Sequence, residues 1–126
     1  LNAGLAPPTA PEAVAVPVPG RASFGAREIR ATVGPACPAT ASSVSVRLES
    51  PILVRSAQPG DRITLAGGGR GRVGRILAAA GVPARERHLV PLVVDAAGRV
   101  VWIGGYRADP GTLAPPGETA IRLELV

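Results

Sequence analysis

The 126 residues suffice for one domain, and a domain of this length buries roughly two-thirds of its unfolded surface. Apolar residues make up 46% of the chain, but only Phe24, Trp102 and Tyr106 are aromatic, so the core must be built from small and branched aliphatic side chains. A formal charge of +5 and a pI of about 11.2 point to an anionic partner, and the single Cys37 excludes an internal disulfide framework and fits a reducing, cytoplasmic location.

Residues 1–12 are rich in Pro and Ala without periodicity and read as a linker. The start carries neither a basic region nor a long apolar run, so no signal peptide is expected. It also lacks an initiator Met, and the chain reads as a piece of something longer. No stretch approaches the roughly 18 apolar residues of a membrane helix.

Residues 13–18 alternate as a short strand that Pro17 places at a sheet edge. Pro19-Gly20 makes a turn, residues 26–33 form a second strand, and residues 34–38 form a loop. Residues 43–49 alternate, with Val44, Val46 and Leu48 on one face. Residues 52–56 form the next strand, and Gln58-Pro-Gly-Asp61 has Pro and Gly at the two central places of a type II turn. Residues 62–66 lead into Gly67-Gly-Gly-Arg-Gly-Arg72.

Residues 73–80 form the one helix, about two turns long and ended by Gly81 and Pro83. Residues 89–95 and 99–105 flank Ala96-Ala-Gly98 as a β-hairpin, and residues 119–126 alternate as a half-buried closing strand. The sum is seven or so short strands around one helix, a mainly β fold of the antiparallel sandwich or barrel-like kind.

Gly69-Arg-Gly71-Arg-Val-Gly74 is a literal GxGxxG, with Asp95 twenty-one residues beyond its last Gly. Taken alone, that is a dinucleotide fingerprint. A two-turn helix is too short for a parallel crossover, however, and Pro83 and Pro91 interrupt the return. Asp95, immediately before the hairpin turn, stands in a common structural place for Asp. A phosphate-loop reading fails because Arg75 and Ile76 replace the required Lys and hydroxyl residue. His88 has no paired nucleophile nearby and Cys37 sits in a Pro-flanked loop, so neither a catalytic nor a zinc constellation forms.

The basic residues are the better lead. All fourteen are Arg, and Arg70, Arg72, Arg75, Arg85 and Arg87 fall within eighteen residues around the helix. Glycines there admit a phosphate close to the backbone, and the helix start adds free N–H groups. The alternative is a solvated charged face. With so few aromatics, phosphate and shape contacts to a structured duplex are favoured over base stacking. Trp102, alternating with Val100 on a hairpin strand, reads as core rather than as a base platform.

The run Ile52-Leu-Val-Arg-Ser-Ala-Gln-Pro-Gly-Asp-Arg62 resembles the LxVRSxxPGDR hallmark of the C-terminal domain of bacterial tRNA(Ile)-lysidine synthetases. The basic glycine-rich stretch and helix, Val82-Pro83, Arg87, the run 89–95, the hairpin 98–107 and the terminal Arg-Leu-Glu-Leu follow in that family's order. The resemblance covers residues 50–126, with residues 13–49 as more variable lead-in strands.

It implies a sandwich similar to one in phenylalanyl-tRNA synthetase β chains. It also implies a non-catalytic, RNA-binding part of an ATP-dependent tRNA-modifying ligase, which joins lysine to the wobble cytidine of the isoleucine tRNA with a CAU anticodon. ATP and magnesium belong to a separate N-terminal catalytic domain with an SGGxDS loop, which is not in these residues, and this part needs no cofactor or metal of its own. The implied partners are that tRNA, at its acceptor stem, and the catalytic domain; a second protomer is the alternative, with packing in place of RNA contact. Arg70, Arg72 and Arg75, then Arg85 and Arg87, are the expected phosphate contacts. Arg55 and Arg62 flank the Pro-Gly turn with two uses open to them, contacting RNA or pairing with Asp61 and Glu49. The chain departs from the family in having Gly71-Arg72 where a Lys pair is usual and Ala79 where an acidic residue is common.

Overall fold

The computed structural model describes residues 11–48 and 51–126. Four strands precede the hallmark run: β1 (Val14–Val16), β2 (Gly20–Phe24), β3 (Arg27–Pro35) and β4 (Ser43–Val46). They are followed by β5 (Ile52–Arg55), β6 (Arg62–Thr64) and β7 (Arg70–Arg72), then the helix α1 (Val73–Ala79) and a 3-10 segment at Ala84–Leu89. The chain ends with β8 (Leu92–Val94), β9 (Val100–Ile103), β10 (Arg107–Ala108) and β11 (Thr119–Leu125). The strands are therefore more numerous than sequence periodicity suggests, and most are short.

Every pairing is antiparallel. A five-stranded sheet runs β1-β5-β8-β9-β10, a four-stranded sheet runs β2-β3-β11-β4, and β6-β7 is a separate ribbon. Edge position for β1 agrees with the Pro17 that follows it. β3 pairs with β11 over the whole of β11, Pro35 facing Thr119 and Ile29 facing Leu125. The lead-in strands and the C-terminal strand thus share one sheet.

Two cores flank the five-stranded sheet. On one side Val54, Val93 and Trp102 meet Phe24, Ile29, Val46 and Leu123 of the four-stranded sheet. On the other, Leu92, Val94, Val100 and Ile103 meet Ile63 of the ribbon and Val73 and Leu77 of α1. This sandwiching explains why residues 90–94 and 100–103 are buried without a break: strands covered on both faces have no polar side to alternate with. Trp102 is only 1% exposed and is a core residue. A register shift at Val93/Val94 leaves Val101 as an extra residue on β9, so that it and Trp102 both join the first core, as a β-bulge allows.

The helix is held at both ends by backbone. The Val73 N–H donates to the Asp61 carbonyl at 3.0 Å. Gly81, at φ 85°, donates to Ala78 O and Val82 to Leu77 O, the paired bonds of a Schellman cap. Because all sheets are antiparallel and Arg70–Arg72 lies in a ribbon, no dinucleotide crossover exists among the described residues. Asp95 Oδ1 accepts from the N–H groups of Ala97 and Arg99 at 3.0 and 2.9 Å, the turn role expected of it.

Candidate nucleic-acid interface

The site begins with the register of the ribbon. Arg62 lies opposite Arg72 and Thr64 opposite Arg70, while Ile63 lies opposite Gly71. Direct partners and alternate residues of a ribbon share a face, so three arginines and one threonine project together. Ile63 goes the other way and is 1% exposed, and burial of such a side chain contributes roughly 1.5–3 kcal/mol. Gly71 leaves little room beside it: a Cβ there would sit 3.1 Å from Leu65 Cδ2 and 3.2 Å from Ile76 Cδ1.

Two further elements complete a groove against this face. α1 starts directly after Arg72 and carries Arg75. From the far end of the five-stranded sheet, the turn Ile103–Tyr106, closed by Tyr106 N–H to Ile103 O at 2.9 Å, delivers Tyr106 and Arg107. Together Arg62, Arg70, Arg72, Arg75, Tyr106 and Arg107 line an open groove of about 630 Å³, with Ile76, Ala79 and Ala80 as its apolar lining. A recess of about 310 Å³ on the other flank of the ribbon shares Arg62 and Arg70 and adds Arg99.

Carboxylates reach some arginines and not others, and, among the described residues, the unpaired ones besides Arg21, Arg27 and Arg87 gather in this groove. Arg30, Arg47, Arg55, Arg85, Arg99 and Arg122 each have an acidic partner. Among the described residues, the five arginines of the groove have none. Like charges placed directly across a strand pair repel, so the Arg62–Arg72 pairing costs stability unless an anion sits over it. Five planar guanidinium forks on one surface can take phosphate oxygens in pairs. No nucleophile or base stands among them, and the described residues contain no group of three or more His, Cys, Asp or Glu able to hold a metal.

The structure divides the sequence-predicted contacts. Arg62, Arg70, Arg72 and Arg75 come together, but Arg85 and Arg87 do not join them. Arg85 points into solvent, 83% exposed and 3.9 Å from Glu86, and Arg87 Nε donates back to Val82 O at 3.1 Å. Of the two uses open to Arg55, the structure shows the ion pair: its Nη1 and Nη2 donate to Asp61 at 2.8 and 2.9 Å. The suggested partnership of Arg62 with Glu49 involves a residue outside those described. Arg107 and Tyr106 escape a reading by sequence neighbourhood, because only the packing of β9 and β10 brings them to the ribbon.

This fold has known counterparts. The family model described as the TilS substrate C-terminal domain matches residues 52–125. The chain belongs to that family. The tRNA(Ile)-lysidine synthase of Exiguobacterium sibiricum is 48% identical over 60 residues, 48% of this chain and 14% of the relative. That of Deinococcus deserti is 51% identical over 76 residues, 54% of this chain and again 14% of the relative. The chain therefore matches about one-seventh of the length of these synthases. A crystal structure of a TilS C-terminal domain superposes with a TM-score of 0.79 at 26% identity, covering 90% of this chain and 96% of that one. The likeness extends through the lead-in strands, so the mainly β, two-sheet architecture is that of the TilS domain as a whole.

Proposed function

We propose that this chain is the tRNA-holding part of a tRNA(Ile)-lysidine synthase, gripping phosphates of the substrate in the arginine groove while a separate catalytic domain performs the ligation. The observation that carries the reading is the gathering, on one surface of a TilS-family domain, of five arginines that have no acidic partner among the described residues. In this reading the parent ligates lysine to the wobble cytidine of the CAU isoleucine tRNA at the expense of ATP, with magnesium, in the cytoplasm. The groove contributes affinity and orientation at the acceptor stem, because phosphate contacts position a nucleic acid without reading its sequence.

Fluorescence anisotropy of the chain with the CAU isoleucine tRNA and an unrelated tRNA, across a salt series, tests this. Binding is expected to weaken with salt at a slope of about −4 in log K against log salt, from five contacts at roughly 0.7–0.9 each. Replacing Arg70, Arg72 and Arg75 together by Ala should reduce that slope by about 2. Binding that is unchanged in the triple variant sinks the groove as the contact surface. Absence of binding at low salt favours packing on the catalytic domain or on a second protomer instead.

A further inference from the structure

We infer that Tyr106 is a stacking platform for an unpaired nucleotide, so that the groove receives the end of an RNA duplex rather than its middle. The inference rests on the RNA-holding reading above and specifies its ligand. Of the three aromatic side chains, Phe24 and Trp102 are each 1% exposed and belong to the core, whereas Tyr106 is 46% exposed.

Its position is built rather than incidental. Gly104 donates to Pro91 O at 2.9 Å, and a Cβ on Gly104 would fall 2.8 Å from Pro91 Cγ and 3.1 Å from Pro91 O. Gly105 takes φ 87°. The turn is thus pressed against the neighbouring segment, and a ring carried on such a turn loses little freedom on binding.

Tyr106 lines three recesses, two of which differ sharply in character. On one side is the cationic groove with Arg72, Arg75 and Arg107. On the other is a recess of about 390 Å³ lined by Pro83, Leu89 and Pro91, with Arg27 and Glu86 also among its lining residues. A ligand crossing Tyr106 has to be anionic on one side and flat and apolar on the other, with polar edges for Arg27 and Glu86. A nucleotide whose base has left the stack meets that description. Inside an A-form duplex the base faces are covered by their neighbours, so an aromatic ring reaches one only where pairing ends.

The 126-residue chain is suited to the test, since a TilS C-terminal domain of nearly the same extent has been crystallised as such. The probes are a short blunt-ended RNA hairpin and the same hairpin with an unpaired single-stranded tail, compared by anisotropy at one low salt concentration. The tailed RNA is expected to bind about tenfold tighter. Tyr106→Phe should keep that preference, and Tyr106→Leu should abolish it with the thermal midpoint unchanged. Equal binding of both RNAs by the unsubstituted chain overturns the stacking role and leaves the arginine groove standing. Loss of preference in Tyr106→Phe assigns the contact to the hydroxyl and also overturns stacking, as does its retention in Tyr106→Leu. Salt-insensitive or absent binding of both RNAs removes the groove reading and this inference with it.

Discussion

Arg55 and Arg62 stand on either side of one Pro-Gly turn, and the molecule uses them in opposite ways. Arg55 is 19% exposed and locked to Asp61 by two hydrogen bonds; Asp61 also accepts the Gln58 N–H at 2.6 Å. Arg62, seven residues on, faces Arg72 across the ribbon and has no acidic partner among the described residues. The first arrangement satisfies a half-buried charge within the fold. The second leaves like charges opposed at the surface, a cost that a bound anion would offset. At this turn a carboxylate meets the arginine whose charge is half-buried and not the one whose charge lies on the groove.

The largest effect that would break this comparison is on stability. Asp61→Ala strips the partner from a half-buried guanidinium and should cost about 2 kcal/mol, since charge-assisted bonds exceed neutral ones and the orphaned charge is penalised. For a domain of this size that lowers Tm by roughly 6–10 °C in a melting experiment. A Tm that does not move would mean the Arg55–Asp61 pair is as dispensable as an ordinary surface bridge.

The difference between the two arginines was not legible in the sequence, and the reason is geometric. Both flank the same hallmark turn, and whether each meets a carboxylate depends on how the turn folds back. The turn itself was legible, because Pro59 and Gly60 leave few alternatives, and so were α1, β5, the β8–β9 hairpin and β11, whose periodicity is local. The β2–β3 hairpin was missed: its turn uses Gly25-Ala26, with Gly25 at φ 59°, a less conspicuous signal than Asn-Gly. β7 carries no strand signal, because Arg-Gly-Arg has no apolar residue to betray a buried face; the burial is done by its partner Ile63. Arg85 and Arg87 were drawn to the groove by proximity in sequence, while the 3-10 segment carries them elsewhere. Arg107 belongs to the groove through tertiary packing alone.

A smaller effect sharpens the structural half of the comparison. Burial alone would raise the Asp61 carboxyl, but the hydrogen bonds from Arg55 and the Gln58 N–H, together with the Arg55 charge, outweigh it and hold the group below its ordinary value. With the folded pKa depressed, the unfolded state binds the proton more readily, so the stabilisation is present above the unfolded value of about 3.9 and is lost as pH falls through the folded one. The Tm gap between the unsubstituted chain and Asp61→Ala should therefore stay constant from neutrality to about pH 5 and narrow below about pH 4. A gap independent of pH would place the effect of the substitution in the turn backbone and not in the ion pair.

The smallest expected change is the most discriminating, because it carries opposite signs in two measurements. Arg62→Glu places a carboxylate directly across the ribbon from Arg72, turning a repulsive cross-strand pair into an attractive one. The free protein should gain about 0.5 kcal/mol, or roughly 2 °C in Tm. RNA affinity should fall at the same time, with the salt slope shallower by about 2, since one contact is removed and Arg72 is diverted to the new partner. Structural salt bridging would instead make stability and binding move together. If Arg62→Glu melts earlier than the unsubstituted chain, Arg62 already has a favourable partner in the folded state, and the division between paired and ligand-facing arginines fails at the position where it is drawn most sharply.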